Sequence, residues 1–293
     1  MTWTTTDDNG AFRATAGPFL GGRPDEHTIL ISLAASLRDA GPDRYGDQPP
    51  RYGWWHEPDG AVAGAFVWTP PYPVQLSPMA PAAAAELATH LLGGPRRLVG
   101  VGGQRAATEA FAARWARATG GAWRVTGRQR LYRLGELVPP SPAPPGRARR
   151  ATREDRGFLL DWFAAYHRDI GEDQAGSSRA LDDRLGYGGC TLWEVDGAPV
   201  SMAGVTRAQG GMVRVNGVYT PDALRGKGYA GAVVAAVSRE ALDAGVTRVL
   251  LFADLANPTS NALYQRLGYQ VIGGHVTLAL DPAPVHARPG GRA

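Results

Sequence analysis

The sequence predicts an α/β (α+β) protein made of two similar domains. Hydrophobic residues make up 44% and charged residues 20% of its 293 positions, which is typical of globular chains and not of disordered ones. A proline-rich segment near the middle separates two stretches whose predicted helices and strands follow the same order. A chain of this length has enough apolar side chains to form a core in each half.

The domain boundaries are predicted from that central break. Val138–Gly146 has five prolines in nine residues, which excludes a helix or a central strand and indicates an extended linker. We therefore assign residues 1–137 to a first domain, 138–150 to the linker and 151–281 to a second domain. Residues 282–293, rich in Pro, Gly and Ala, are expected to form a flexible tail.

The second domain is predicted to alternate helices and strands. Thr152 with Asp155 indicates the capped start of a helix, Asp196-Gly197 predicts a hairpin turn, and Asn257-Pro258 predicts the cap and first residue of a short helix. The predicted elements are a helix at 152–169, strands at 191–195, 200–207 and 212–220, a helix at 226–244, a strand at 247–254, the short helix, and extended stretches at 269–271 and 275–280.

The first half repeats this pattern. Residues 53–68 and 192–203 both place a tryptophan before an acidic residue and an Asp-Gly-Ala turn, and residues 111–134 parallel 261–280. We interpret the similarity as a diverged duplication. Where the second half has a glycine-rich turn, the first has the proline-rich run Pro70–Pro78, so we expect the first copy to have lost the chemistry of the second.

Charge and cysteine content argue against several classes of function. The net charge is +4 with a single lysine, and the densest basic cluster, at residues 147–156, is interpreted as solvated, so no nucleic-acid partner is expected. The one cysteine, Cys190, cannot form an intrachain disulfide and is interpreted as a buried small residue. With no signal-peptide pattern and no run of 18 apolar residues, we expect a cytoplasmic protein without membrane contact. The six histidines lack metal-ligand spacing, so no metal is expected.

The run Val218–Ala230 is the segment predicted to carry chemistry. A strand end and a proline turn lead into Arg225–Ala230, which opens a long helix. Glycines permit a sharp turn and close ligand approach, and the unpaired N–H groups of a helix start attract a phosphate or pyrophosphate. A glycine-rich helix entry without a ligand is the alternative. Gly226–Gly231 also fits Gly-x-Gly-x-x-Gly weakly, but that dinucleotide motif follows its strand directly, whereas Pro221–Arg225 intervene here.

Two motifs in this half resemble signatures of the GNAT acetyltransferase superfamily. They are Arg225-x-x-Gly228-x-Ala230 and Asn257-x-x-Ser260-x-x-x-Tyr264-x-x-Leu267-Gly268-Tyr269. The family patterns that they resemble are Arg/Gln-x-x-Gly-x-Gly/Ala and Asn-x-x-Ala-x-x-Leu-Tyr-x-x-x-Gly-Phe. The resemblance covers about residues 152–280, and the first half looks like a degenerate copy. It implies two GNAT-type domains, each with a mixed, mostly antiparallel sheet flanked by helices.

The resemblance also implies an acyl-CoA-dependent N-acyltransferase that moves an acyl group, acetyl in the first instance, from acetyl-CoA to a primary amine by direct transfer in a ternary complex. Backbone amides of Gly226–Ala230 would hold the pyrophosphate, the Val218 N–H would stabilise the oxyanion, and Tyr264 would protonate the departing thiolate. A core aromatic is the alternative for Tyr264. The implied cofactor-binding set is Val218, Tyr219, Thr220, Arg225, Gly226, Lys227, Gly228, Tyr229, Ala230, Asn257 and Ser260.

The general base is open at this point. The family often has a carboxylate on the strand that leads to Val218, but Met212–Gly217 has none. Asp254, at the end of the next strand, is the candidate base and Glu194 is another. For both, a solvated or loop-capping carboxylate is the alternative, and the amine could also lose its proton to water.

Two other functions stay open. The missing carboxylate is compatible with a non-catalytic protein that binds or senses acyl-CoA, and the weak glycine motif is compatible with an NAD-dependent enzyme. The acceptor is expected to be a small-molecule or peptide amine, and the protein a monomer or homodimer. Neither the acceptor nor the oligomeric state follows from the sequence.

Overall fold

The structure, a computed structural model, describes residues 2–94, 96–171 and 177–283, and its chain divides into two compact units. The N-terminal unit consists of the described residues of Met1–Arg128 and Gly274–Ala293, and the C-terminal unit of those of Gln129–Gly273. Each unit is described separately below.

The first repeat contains six strands and four helices within its described residues. They are β1 (Thr2–Thr6), α1 (Asn9–Gly22), α2 (Thr28–Ala40), β2 (Arg51–His56), β3 (Val62–Trp68), β4 (Val74–Leu76), α3 (Pro81–Leu92), β5 (Gly100–Gly103), α4 (Arg105–Thr119) and β6 (Ala122–Leu134). Helix α1 was not predicted from the sequence.

The second repeat has the same succession of elements in its described residues. They are β7 (Arg147–Arg150), α5 (Arg156–Ile170), α6 (Ser177–Gly186), β8 (Cys190–Val195), β9 (Ala198–Val205), β10 (Met212–Tyr219), α7 (Tyr229–Asp243), β11 (Arg248–Asp254), α8 (Pro258–Arg266) and β12 (Tyr269–Asp281). Ten elements correspond one to one, which supports the duplication inferred from the sequence.

Most predicted elements of the second repeat agree with the structure to within a few residues. The predicted hairpin turn is present, with φ of 50° at Asp196 and 81° at Gly197. Helix α7 begins at Tyr229 and not at Gly226, because Gly226 and Gly228 have φ of 77° and 83°, outside the helical region. The two predicted stretches at the C-terminus form one continuous strand, β12.

Within each unit the strand pairing is mixed and mostly antiparallel, as predicted. In the N-terminal unit the strand order is β1-β2-β3-β4-β5-β12, and in the C-terminal unit it is β7-β8-β9-β10-β11-β6. Each contains one parallel pair, β4 with β5 or β10 with β11, while the remaining neighbours are antiparallel. The parallel pair is joined by a crossover helix, α3 or α7, as parallel strands require.

Strands β6 and β12 make the observed units differ from the predicted boundaries 1–137 and 151–281. Strand β6 begins in the N-terminal unit and ends in the C-terminal unit, where Gln129–Arg133 pairs with β11. Strand β12 runs the opposite way, and Val276–Ala279 pairs with β5 in the N-terminal unit. Each repeat therefore completes the sheet of the other unit with its last strand.

The predicted linker 138–150 is partly regular structure. Its last four residues form β7, which pairs with β8, and the Trp193 indole N–H donates to the Pro145 carbonyl at 2.9 Å. Of the predicted tail 282–293, residues 284–293 lie outside the described residues.

Each sheet lies between two layers of helices. On β9, Met202 packs in the cluster under α5 and α6, while the next residue, Ala203, packs in the cluster under α7 and α8. On β3, Phe66 and Val67 divide in the same way between two clusters of the N-terminal unit. This alternation is what a strand buried on both faces requires. Across the described part of the chain, no helix has the length and apolarity needed to span a bilayer.

Candidate functional site

A bulge in β10 marks the candidate site of the C-terminal unit. Strand β10 pairs with β9 from Val215–Val205 to Asn216–Gly204, and pairing resumes only at Tyr219–Met202. Gly217 lies in the interruption with φ of 59°, a left-handed conformation that favours glycine. The bulge changes which way the backbone of Val218 faces relative to a regular ladder.

The pairing between β10 and β11 ends just before this bulge. Their parallel pairing runs from Met212–Arg248 to Val215–Leu251, although β10 continues to Tyr219 and β11 to Asp254. Past Val215 the β10 backbone therefore has no β11 partner in the described ladder. Unpaired main-chain groups on a strand are suited to an extended ligand that adds to the sheet.

The N-terminus of α7 follows β10 after the turn formed by residues 220–228. Gly228 occupies the cap position, and among the described residues no side chain caps this helix start. The first intrahelical bond is donated by the Ala232 N–H to the Gly228 carbonyl at 3.1 Å, so the amides of Tyr229, Ala230 and Gly231 precede it. With the helix dipole, these amides favour an anion. Gly226, Lys227 and Gly228 are exposed, whereas the Tyr229 side chain is buried.

Arg225 closes the turn that precedes this helix. Its Nε donates to the Thr220 carbonyl at 2.9 Å, and its Nη2 contacts Asp169 on α5 at 2.6 Å and Asp222 at 2.8 Å. The Arg225 guanidinium is thus bonded to groups of the protein. These bonds hold the loop of residues 220–228 that precedes the amides of α7. Thr220 is itself held, because its hydroxyl lies 2.8 Å from Ser201 Oγ, which donates to the Tyr219 carbonyl at 3.0 Å.

The corresponding place in the N-terminal unit is built differently. Strand β4 ends one residue after its last pairing with β5, and α3 follows after only residues 77–80, against residues 220–228 before α7. Helix α3 begins with Pro81, which has no N–H to offer. Ser77 is buried and tied to Ala65 by two hydrogen bonds of 2.9 Å. The start of α3 therefore presents fewer backbone amides than the start of α7.

Helix α8 follows the end of β11 and is capped by Asn257. The Asn257 Oδ1 accepts from the Ser260 N–H at 2.9 Å, and Pro258 is the first helical residue, as the sequence predicted. Asp254 shapes the turn into this helix, because its Oδ1 accepts from the Ala256 N–H at 2.9 Å. Asn257 and Asp254 are exposed and Ser260 is half-buried.

Tyr264 lies one turn further along α8 in the hydrophobic core. Its ring centroid is 6.3 Å from that of Tyr132 and 6.1 Å from that of Tyr269. Burial raises the pKa of its phenol, and the neighbouring Tyr166 adds to the shift. Tyr264 is therefore both a packed aromatic and a protonated phenol in the neutral range.

The sequence of residues 156–269 matches the Acetyltransferase (GNAT) family. This segment contains the bulged strand, the separated pair and both helix starts described above. Residues 156–269 form a GNAT-family domain. No curated protein matches the chain in sequence.

Solved structures extend the likeness to the fold of the whole chain. A Drosophila protein aligns with a TM-score of 0.69 at 13% identity, covering 96% of this chain and 98% of its own. A GCN5-related N-acetyltransferase from Sphaerobacter thermophilus has a TM-score of 0.60 at 16% identity, covering 96% and 95%. A tandem GNAT protein from the clavulanic acid biosynthesis pathway has a TM-score of 0.59 at 13% identity, covering 97% and 99%. The tandem architecture inferred from the duplication is confirmed.

The GNAT domain accounts for the weak dinucleotide motif. Its third glycine, Gly231, faces α8 and the proline-rich segment: an added Cβ would lie 3.1 Å from Leu263 and 3.4 Å from Pro140. That glycine therefore serves helix packing. Residues 221–228, including a 3₁₀ turn at Asp222–Leu224, separate the strand from the helix, unlike the short turn of a dinucleotide fold.

The two candidate bases of the GNAT domain differ in exposure, because Glu194 is buried and Asp254 is exposed. Glu194 is buried on β8 and accepts from Arg149 Nε at 2.5 Å, and the same guanidinium contacts Asp155 at 2.6 and 2.8 Å. The hydrogen bond from Arg149 lowers the pKa of Asp155, which also accepts from the Thr152 N–H at the predicted capping position. Glu194 is a structural partner of Arg149, and Asp254 is the more accessible of the two candidates.

Sequence reasoning missed two residues that organise this site, Tyr132 and Asn261. Asn261 is buried and hydrogen-bonds the end of β11, the cap of α8 and Tyr132 at once. Its neighbours in the chain belong to the family pattern, but Tyr132 is 129 residues away, on the last strand of the first repeat. No signal in the sequence pairs the two.

Cys190 agrees with its interpretation as a small core residue. Cys190 is buried, and burial raises the pKa of its thiol to about 11, which leaves it a packed, unreactive side chain. The side chains of Tyr219 and Val218 have different neighbours. The Tyr219 ring lies 5.9 Å from that of Trp162 on α5, whereas Val218 packs with the cluster that includes α7.

Proposed function

We propose that the protein is an acyl-CoA-dependent N-acyltransferase that transfers an acyl group, acetyl from acetyl-CoA in the first instance, to the primary amine of a small molecule or peptide. The observation that carries the proposal is the open start of α7. The exposed residues Gly226–Gly228 lead into a helix start that no described side chain caps, and the amides of Tyr229, Ala230 and Gly231 precede its first intrahelical bond, inside the GNAT domain.

The acyl-CoA would lie along the separated end of β10. Amides from Gly226 to Ala230 would bind the diphosphate, and main-chain groups of Val218 and Thr220 would pair with the pantetheine arm. Asn257 uses its carbonyl oxygen to cap α8. Its NH₂ group is the part suited to donate to a pantetheine carbonyl.

The reaction follows from that placement. The neutral amine nitrogen would attack the thioester carbonyl carbon, and the Val218 N–H would donate to the oxyanion. The C–N bond forms and the C–S bond breaks, so coenzyme A leaves as a thiolate that requires a hydrogen-bond donor. The Tyr264 phenol would supply that donor. The proton lost from the amine would pass to water or to the exposed Asp254 carboxylate.

Gly226 offers a test with a matched control. Its φ of 77° is tolerated by Asn and Asp better than by other residues, and an added Cβ meets no atom within 4 Å. Gly226→Asp and Gly226→Asn therefore differ in charge and little in shape. A carboxylate beside the diphosphate should weaken acetyl-CoA binding about tenfold relative to Gly226→Asn. Isothermal titration of acetyl-CoA into both variants measures this difference.

Equal affinities of the two variants would show that the diphosphate is not bound at this turn. A salt titration adds a second check, because an exposed like-charge repulsion weakens as ionic strength rises. The difference between the variants should shrink between about 0.05 and 0.5 M salt.

A non-catalytic acyl-CoA-binding protein is the second candidate. It is favoured by one observation, that β10 has no carboxylate and Glu194 is committed to Arg149. Release of free coenzyme A thiol, measured with acetyl-CoA and a panel of primary amines, separates the two. Amine-dependent thiol release supports the transferase, whereas tight binding with no release supports the binding protein.

A further inference from the structure

We infer that Tyr132, on the last strand of the first repeat, is a positioning residue for acyl transfer in the GNAT domain. It would hold the start of α8, and with it Asn257 and Tyr264, through the side chain of Asn261. The catalytic part of this inference rests on the proposed function, and the structural part does not.

The side chain of Asn261 makes three hydrogen bonds. Its Nδ2 donates to the Asp254 carbonyl at 2.6 Å and to the Asn257 carbonyl at 2.7 Å, and its Oδ1 accepts from the Tyr132 hydroxyl at 2.7 Å. Both amide hydrogens are directed at carbonyl oxygens, so only the oxygen faces Tyr132, which must be the donor. The set is buried, where a lost partner leaves an unsatisfied polar atom.

These bonds join β6, which carries Tyr132, to β11 and α8. Asp254 is the last residue of β11, Asn257 is the cap of α8, and Asn261 lies in the first turn of that helix. The Asn261 amide therefore sets where α8 starts relative to the strand. Tyr264 follows Asn261 by three residues and so projects from a neighbouring position on the same helix face.

Tyr132 anchors this arrangement from the sheet. It pairs with Leu251 in the ladder between β6 and β11, it has no exposed surface, and its ring lies 6.3 Å from that of Tyr264. A phenylalanine would fill the same space, but it could not donate to Asn261. The Tyr132 hydroxyl thus has a specific partner, Asn261. Asn261 in turn holds the segment between β11 and α8.

The first repeat therefore contributes a residue, Tyr132, to the candidate site of the C-terminal unit. Its α3 starts with a proline and so presents fewer amides than the start of α7, yet its last strand supplies the hydroxyl that supports α8. Loss of the phosphate-binding turn in one copy is compatible with keeping this strand.

Tyr269→Phe is a matched control for Tyr132→Phe. Tyr269 is also buried, its hydroxyl lies 2.7 Å from Ser238 Oγ, and its ring is 6.1 Å from that of Tyr264. Its hydrogen bond leads to α7 and not to Asn261. Both variants lose one buried hydroxyl, so both should lower the melting temperature by a similar few degrees.

The two variants should differ in turnover and in local exchange. Tyr132→Phe is expected to lower kcat about tenfold with acetyl-CoA affinity changed less than about threefold, while Tyr269→Phe changes kcat less than about twofold. In the full chain, hydrogen exchange of residues 254–261 should be faster in Tyr132→Phe only. Equal effects of the two variants on kcat or on exchange would overturn the positioning role.

A double-variant cycle tests the route through Tyr264. If Tyr132 acts by placing that phenol, adding Tyr132→Phe to Tyr264→Phe should lower kcat no further. Multiplying effects would overturn that route. If the wild-type protein releases no thiol with any amine, the proposed function fails, and the exchange comparison alone then decides whether Tyr132 holds the start of α8.

Discussion

At the scale of single residues, Tyr264 shows how burial favours the protonated form of a phenol. Burial raises the pKa of its phenol, so the proton stays on the oxygen throughout the neutral range. A thiol has a pKa of about 8.5, lower than that of the buried phenol, so complete proton transfer to the leaving thiolate is uphill. The phenol is better suited to stabilise the thiolate by a hydrogen bond, with the final proton coming from solvent.

Tyr264→Phe should lower kcat about 10- to 100-fold and leave the Kd for acetyl-CoA unchanged, because the hydrogen bond forms only as the C–S bond breaks. A raised pKa moves ionisation to higher pH, so Tyr264 should cause no fall in rate below about pH 10. Steady-state kinetics from about pH 7 to pH 10, with titration of acetyl-CoA, measures both. Unchanged kcat would remove Tyr264 from the reaction.

At the scale of elements, the starts of α7 and α8 in the GNAT domain are built in opposite ways. Helix α8 is capped by the Asn257 side chain, whereas α7 begins after a glycine in a left-handed conformation and has no side-chain cap within its described surroundings. A capped start stabilises a helix, and an uncapped one leaves amides for a ligand. The short sequence difference between Gly228-Tyr229 and Asn257-Pro258 thus separates a binding element from a structural one.

Substitutions can separate the two roles of Asn257, which are the cap of α8 and the proposed donor to the pantetheine. Asn257→Asp keeps an oxygen cap and loses the NH₂ donor, and Asn257→Ser does so without adding charge. Both should keep the melting temperature within about 2 °C and raise the KM for acetyl-CoA about five- to tenfold. Asn257→Ala should also lower the melting temperature, because a lost cap costs about 1 kcal/mol. Wild-type KM in the Asp and Ser variants would show that this amide does not contact the pantetheine.

At the scale of the whole molecule, each repeat depends on the other for the strand that closes its unit. Strand β6 supplies Tyr132 and Leu134 to the core of the C-terminal unit, and β12 supplies Leu278 and Leu280 to that of the N-terminal unit. A domain cut at the proline-rich segment would therefore expose an unpaired edge on β11, which favours aggregation.

Two fragments test this dependence. Residues 129–273 retain the β6 residues that pair with β11, whereas residues 138–273 lack them. The longer fragment should unfold cooperatively, and the shorter one should lack a cooperative transition or aggregate, because it loses a strand and three side chains of the core cluster, Tyr132, Leu134 and Leu137. Circular dichroism melting and size-exclusion chromatography compare the two. Cooperative unfolding of the shorter fragment would show that β6 is dispensable.

Local chemistry explains why much of the second repeat was predictable. The Asp196-Gly197 turn, the Asn257 cap and the glycines before α7 act through backbone geometry within a few residues, and the structure has each of them. Helix α1 was missed because its Asp8 cap and its interior Pro18 give an ambiguous pattern.

The sequence by itself determined the repeated order of elements, the open start of α7 and the family of residues 156–269, because these depend on local backbone preferences and on short motifs. Only the tertiary structure decided that β6 pairs with β11 and β12 with β5, that Glu194 is bonded to Arg149, and that Tyr132 holds Asn261. Strand pairing and buried hydrogen bonds join residues far apart in the chain. Their partners depend on how the whole chain closes its cores, and no local pattern encodes that choice.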